Sequence, residues 1–187
     1  MRTLPKYNVL TSNYPDKHQV PTKSLLDGIG GDVRKTLSNS VNTCAIRMSE
    51  ALNRSGHPIQ EMTGLYLLQG AKPLRVPGKL TASPTLYIVR VPDMKRYLEK
   101  HYGVGRLIYD ANKRPTEIIN LPRQTQGIIV FVWNGVFREF GASGHVDMFR
   151  LWPNGDQPPR LEPACAGQCY WWTQGGPMKA YLWETTP

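Results

Sequence analysis

No stretch of this 187-residue chain approaches the ~20 consecutive apolar residues that a membrane-spanning helix needs, so no membrane insertion is expected. The opening residues, Met1-Arg2-Thr3-Leu4-Pro5-Lys6-Tyr7, carry no apolar core of the kind found in secretory signals. Work outside the producing cell would then need another route of export. No segment repeats and no tract is of low complexity, which sets aside repeat architectures and disordered linkers. Acidic residues are in the minority, 14 against 23 Lys and Arg, for a net charge of +9. Such a surface suits a polyanion: nucleic acid, an anionic membrane face or an acidic wall polymer. The cations are scattered, with no long basic run, so charge alone does not choose among these.

Cysteine is scarce as well, with three in the chain. Cys165 and Cys169 could close a short disulfide, which implies an oxidising compartment, or could supply two metal ligands. A metal site needs two more Cys or His nearby and none cluster there, so the disulfide is preferred and no metal or cofactor is expected. Cys44 is left over as a free thiol.

What is present fits one globular domain over residues 1–187, with 40% hydrophobic and 20% charged residues. Residues 1–21, punctuated by Pro5, Pro15 and Pro21, read as an extended N-terminal arm. Thr22 to Ser38 reads as two helical pieces bent at Gly28-Ile29-Gly30-Gly31. Those glycines lack the Gly-Lys-Ser/Thr that would complete a phosphate loop. A helix follows from Cys44, residues 57–84 read as loop, and Leu86 to Val91 as a strand. Pro92 opens a further helix that Gly103 ends. After a polar stretch over 104–126, Gly127 to Trp133 is a buried central strand, with a turn signal at Asn134-Gly135. His145 to Trp152, Cys169 to Thr173 and Met178 to Trp183 read as strands, with a loop from Pro153 to Pro163. Helices early and strands late predict an α+β domain, with helices on one side of a mostly antiparallel sheet.

Two stretches carry chemistry. In Val41-Asn42-Thr43-Cys44-Ala45-Ile46-Arg47-Met48, Asn42 or Thr43 can cap a helix whose first turn holds Cys44. Unsatisfied N–H groups and the helix dipole favour an anion there. A thiol that titrates near about 8.5 when free can fall to about 3.5–7.5 at such a position beside a histidine, and so become a nucleophile. The plainer alternative is a small buried hydrophobe. In Ser143-Gly144-His145-Val146-Asp147, strand alternation puts His145 and Asp147 on one face with Phe149 and Leu151. Gly144 leaves room for a backbone or a substrate to come close. His18 and His57 fall in loops and His101 near a helix end, so His145 is the candidate base. The expected mechanism is a Cys44 thiolate paired with a His145 imidazolium, attack on an amide carbonyl, and an oxyanion held by the Cys44 N–H and a second donor.

A helix-borne cysteine ahead of a sheet-borne histidine is the chain order of papain-like hydrolases, and the motifs resemble one family. Gly30-Gly31 ahead of Asn42 to Ser49, Tyr87 to Val91 with Asp93-Met94 and Tyr97-Leu98, Gly127 to Val130, Gly144-His145-Val146, and Cys165-Ala166-Gly167-Gln168-Cys169 are similar in order to the type VI secretion amidase effector 4 family. The resemblance implies a papain-like fold of the NlpC/P60 type and a peptidoglycan amidase. It implies cleavage between γ-D-glutamate and meso-diaminopimelate of the stem peptide. It further implies delivery by the type VI secretion machinery to a neighbour's periplasm, a cognate immunity protein as partner, and a Cys165–Cys169 disulfide. The family's third catalytic residue, an Asp between the late cysteines, corresponds here to Gly167. Asp147 is the replacement candidate, with Asp156 and Gln168 as weaker ones. Two other functions stay in view: a papain-like peptidase or acyltransferase acting on protein, and a non-enzymatic basic module. The second would bind wall or nucleic acid through Trp133, Trp152, Trp171, Trp172 and Trp183.

Overall fold

The computed structural model describes residues 1–76, 79–110, 121–122, 124–137, 142–151, 160–162 and 178–186; at 73–76, 79–83, 134–137, 142–143, 160–162 and 178 it describes backbone alone. Five helices, α1 (Tyr7–Asn13), α2 (Thr22–Ile29), α3 (Gly31–Thr36), α4 (Cys44–Arg54) and α5 (Val91–Tyr102), are found among these residues. The strands are β1 (Leu67–Val76), β2 (Lys79–Ile88), β3 (Arg106–Asp110), β4 (Gln126–Phe137), β5 (Ala142–Arg150), β6 (Arg160–Glu162) and β7 (Met178–Glu184). β1 and β2 form an antiparallel pair, and the other five make an antiparallel sheet in the order β3-β7-β4-β5-β6. No helix among the described residues is long and apolar enough to cross a membrane.

α4 is the centre of the molecule. Every residue from Cys44 to Asn53 is buried, so the helix has no solvent face. Burial all round requires its polar side chains to find partners. Ser49 Oγ accepts the Ile88 N–H at 3.0 Å and donates to the Ala45 carbonyl at 2.8 Å. Asn53 Nδ2 donates to the Leu86 carbonyl, and its Oδ1 accepts the Ile59 N–H at 2.7 Å. The Glu50 carboxylate accepts the Tyr87 hydroxyl at 2.6 Å and the Arg54 guanidinium at 2.5 Å. These bonds lock β2 along α4 and fix where the N-terminus of α4 points.

β4 lies between β7 and β5, as its unbroken apolar run predicts for a strand covered on both faces. One face, with Ile128, Val130, Val146 and Met148, packs against α1, α4 and α5. The other gathers Ile129, Phe131, Phe149, Ala180 and Leu182 with Ile108. The register sets Phe131 opposite His145 and Ile129 opposite Asp147.

Five expectations need correction. The stretch from Pro153 to Pro163, read as loop, contains β6, which pairs with β5. The extended arm over residues 1–21 contains α1. Tyr7, Leu10 and Tyr14 fall at helical spacing and are buried, although the seven-residue helix has no side-chain cap. Its stability comes from the core it covers, not from local signals. The loop over 57–84 contains the β1–β2 pair. Pro73 and Pro84 face each other at irregular points of the ladder, which a pair with two open edges tolerates. β3 occupies part of the polar stretch over 104–126. β4 runs through Asn134-Gly135 to Phe137, and the turn signal survives only as a slip in register between Val132 and Phe137. The glycine bend is as expected: Gly30 (φ 64) ends α2 and starts α3. A Cβ on Gly31 (φ 60) would lie 2.6 Å from the backbone of β1.

Candidate active site

Cys44 is the first residue of α4 and only 5% exposed. Its backbone N–H donates to Asn42 Oδ1 at 3.1 Å. Thr43 stands at the N-cap position, but its hydroxyl accepts Arg47 Nε at 3.0 Å and caps nothing. Of the two cap candidates, Asn42 is therefore the one that satisfies a first-turn donor. The Cys44 N–H expected to meet an oxyanion is thus already partnered in this state.

His145 and Asp147 share a face of β5, as their spacing requires. The imidazole stacks against Phe131, with centroids 6.3 Å apart. Its Nε2 lies 3.2 Å from Asp147 Oδ2, while Oδ1 of the same carboxylate accepts the Met148 N–H at 2.8 Å. Asp147 is fully buried. The ring also interacts with the Cys44 side chain. With Nε2 turned to Asp147, Nδ1 is the nitrogen left for the sulfur. Burial presses His145 towards the neutral form, but the hydrogen bonds and charges of Asp147 and Cys44 outweigh it and lift the ring to about 10. An imidazolium beside the thiol follows at neutral pH.

The space at Gly144 is taken by protein. A Cβ there would come within 2.5 Å of the Phe131 carbonyl and 2.8 Å of Val91 Cγ1. The glycine lets β5 approach β4 and α5 closely enough to carry His145 to the end of α4.

Two residues at the site went unnoticed in the sequence. Tyr14 is buried near Asp147 and Cys44; burial, then the charges of Asp147 and Cys44, hold the phenol well above its usual range. Arg47 is 3% exposed and donates to the Pro15 carbonyl at 2.5 Å as well as to Thr43. Burial lowers its pKa while Tyr14, Asp16, Cys44 and Asp147 work the other way. Arg47 lies one turn from Cys44, a signal the sequence did offer. Tyr14, beside a proline in an apparent arm, offered none.

Cys165, Cys169, Asp156, Gly167 and Gln168 lie outside the described residues, as do Trp152, Trp171 and Trp172. Trp183 is 4% exposed and donates to the Gly103 carbonyl at 2.7 Å, and Trp133 stacks on Phe131, so these two serve packing. His57 and His101 sit apart from Cys44, in contact with Tyr102 and Tyr97. Among the described residues no group of three or more His, Cys, Asp or Glu is placed to hold a metal ion. What the arrangement can do is deliver a sulfur nucleophile and a proton donor to one carbonyl, with a carboxylate behind the ring.

Residues 40–170 match the sequence profile of a family described as type VI secretion system amidase effector protein 4. In structure the chain is similar to the effector-immunity complex Tae4-Tai4 from Enterobacter cloacae, with 21% identity, TM-score 0.68 and 100% of each chain covered. It is also similar to the effector Tae4 from Salmonella typhimurium in complex with the immunity Tai4 from Enterobacter cloacae. There the identity is 26% and the TM-score 0.64, over 97% of this chain and 99% of that one. No curated protein sequence matches the chain.

Proposed function

This chain belongs to the type VI secretion system amidase effector 4 family, and from that premise we propose that Cys44, His145 and Asp147 cut the γ-D-glutamyl–meso-diaminopimelate bond of the peptidoglycan stem peptide. The observation that carries the assignment of residues is the contact of one imidazole with both the Cys44 side chain and a fully buried carboxylate at the start of α4.

The steps follow from the groups present. The Cys44 thiolate attacks the amide carbon, and the carbonyl oxygen becomes an oxyanion. That oxygen displaces Asn42 Oδ1 from the Cys44 N–H, which is aligned with the dipole of α4. His145 gives its proton to the departing amine, and the neutral ring then takes a proton from the water that hydrolyses the thioester. Asp147 fixes the ring through Nε2 and stabilises its charge throughout. A basic surface of net charge +9 suits an anionic wall.

As a member of this family the protein is an amidase effector delivered into target cells. We place its work in the target's periplasm, where the substrate lies and where a Cys165–Cys169 disulfide would persist. The two solved relatives described above are complexes with immunity proteins, and a cognate immunity protein that covers this site is the expected partner here. The whole of residues 1–187 then acts as a single amidase domain.

The test is digestion of purified sacculi by the native chain and by Cys44→Ala, with products identified by mass spectrometry. The native chain should release stem peptides ending at D-glutamate, and the variant none. Turnover by Cys44→Ala would reject the nucleophile. Cleavage of casein but not sacculi would move the substrate from wall to protein.

A further inference from the structure

Arg47 is 3% exposed, and a buried guanidinium is costly unless its donors are met. Two of them go to neutral oxygens: Nε to the Thr43 hydroxyl at 3.0 Å and Nη1 to the Pro15 carbonyl at 2.5 Å. The Arg47 backbone N–H adds a third bond, to the Thr43 carbonyl at 2.8 Å. One residue thus holds Thr43 by main chain and side chain at once, while its other arm is anchored 32 residues away. The Thr43 carbonyl and the Cys44 N–H belong to one planar peptide unit, so fixing the carbonyl fixes the direction of the N–H. That N–H is the donor to the oxyanion. Its resting partner, Asn42 Oδ1 at 3.1 Å, sits on an exposed residue and has to leave when substrate arrives.

The geometry points to Arg47 as a positioning residue for the oxyanion donor: its fork, Nε on Thr43 and Nη1 on Pro15, holds the Thr43–Cys44 peptide plane so that the Cys44 N–H stays aimed at the reacting oxygen once Asn42 lets go. This role rests on the Cys44 amidase reading above, and it concerns the donor rather than the sulfur or the ring. A fork is needed because the two acceptors lie on separate segments. A guanidinium offers rigid, divergent N–H groups, whereas a lysine supplies the same charge from one point. A loosened donor costs little while the substrate oxygen is a carbonyl and much once that oxygen carries charge. The loss should therefore fall on kcat.

The experiment compares Thr43→Val, which keeps the shape and removes the hydroxyl, with Thr43→Ser, which keeps the acceptor, and adds Arg47→Lys. On a soluble muropeptide, Thr43→Val should lose about tenfold in kcat with KM nearly unchanged, as expected for one hydrogen bond from a charged group. Thr43→Ser should recover most of that loss. Arg47→Lys should lose at least as much as Thr43→Val, and the double variant little more than Arg47→Lys alone. Iodoacetamide separates positioning from a merely structural role. The Cys44 sulfur displaces its iodide and no oxyanion forms, so alkylation should keep its wild-type rate in every variant. Wild-type kcat in Thr43→Val or Arg47→Lys, or alkylation slowed in step with kcat, would overturn the inference.

If Arg47→Lys fails to fold, the two Thr43 variants decide. A wild type that leaves both sacculi and muropeptide intact sinks the amidase reading, and the Cys44 amide then decides this one by NMR. Its hydrogen exchange should be about tenfold faster in Thr43→Val than in the wild type or Thr43→Ser. Equal exchange in all three removes the inference.

Discussion

Replacing Asp147 with Asn isolates the charge behind the imidazole. The His145 side chain is 16% exposed, and burial alone would favour the neutral ring. Asp147 and Cys44 together reverse that and carry it from 6.5 to about 10. At about 1.4 kcal/mol per tenfold, the charged ring is favoured by on the order of 5 kcal/mol. Two partners share the effect, so Asp147 accounts for about 2–3 kcal/mol, a factor of about 30–150. Asn keeps the shape and can still accept from the Met148 N–H, so charge is what is lost. In digestion of a soluble muropeptide, kcat/KM should drop by about that factor, and the alkaline limb should retreat from near 10 towards neutral pH. Stability should respond with the matching sign. A histidine raised in the folded state contributes fully below its unfolded value, near 6.5, and that contribution fades as pH rises through about 10. Unfolding free energy should decline across that window in the wild type and less in Asp147→Asn. A variant within about threefold of wild type at every pH would refute the reasoning and return the third role to Asp156 or Gln168.

Two further outcomes follow from packing. Arg47→Met leaves the buried Thr43 hydroxyl and the half-buried Pro15 carbonyl without their guanidinium, so urea unfolding should show a loss of about 2–4 kcal/mol. Gly144→Ala forces a Cβ against the Phe131 carbonyl and Val91, at 2.5 and 2.8 Å. The strand must shift, so kcat should collapse while a folded circular dichroism spectrum persists at a Tm several degrees lower; normal activity would mean that β5 yields without moving His145.

The chemistry at the centre of the site was readable from the chain because it is local. A cysteine just behind Asn42 and Thr43 announces a helix start, and the i, i+2 spacing of His145 and Asp147 announces a shared strand face, as the register against β4 bears out. The continuous apolar run of β4 likewise announced a strand covered on both sides. The N-terminal arm was misread, since a seven-residue helix without a side-chain cap has no local reason to form. The β1–β2 pair was hidden by prolines that count against strands in general and are tolerated where the ladder is irregular.

Only the folded chain could bring Tyr14 near Asp147 and Arg47 onto the Pro15 carbonyl, across sequence separations that no periodicity encodes. The chain itself set which residues could be nucleophile and base, because helix ends and strand alternation are written in neighbouring residues. Tertiary packing decided that the ring is charged. Burial alone would have discharged it, and one of the two partners that prevent this, Cys44, comes from a helix far away in the chain.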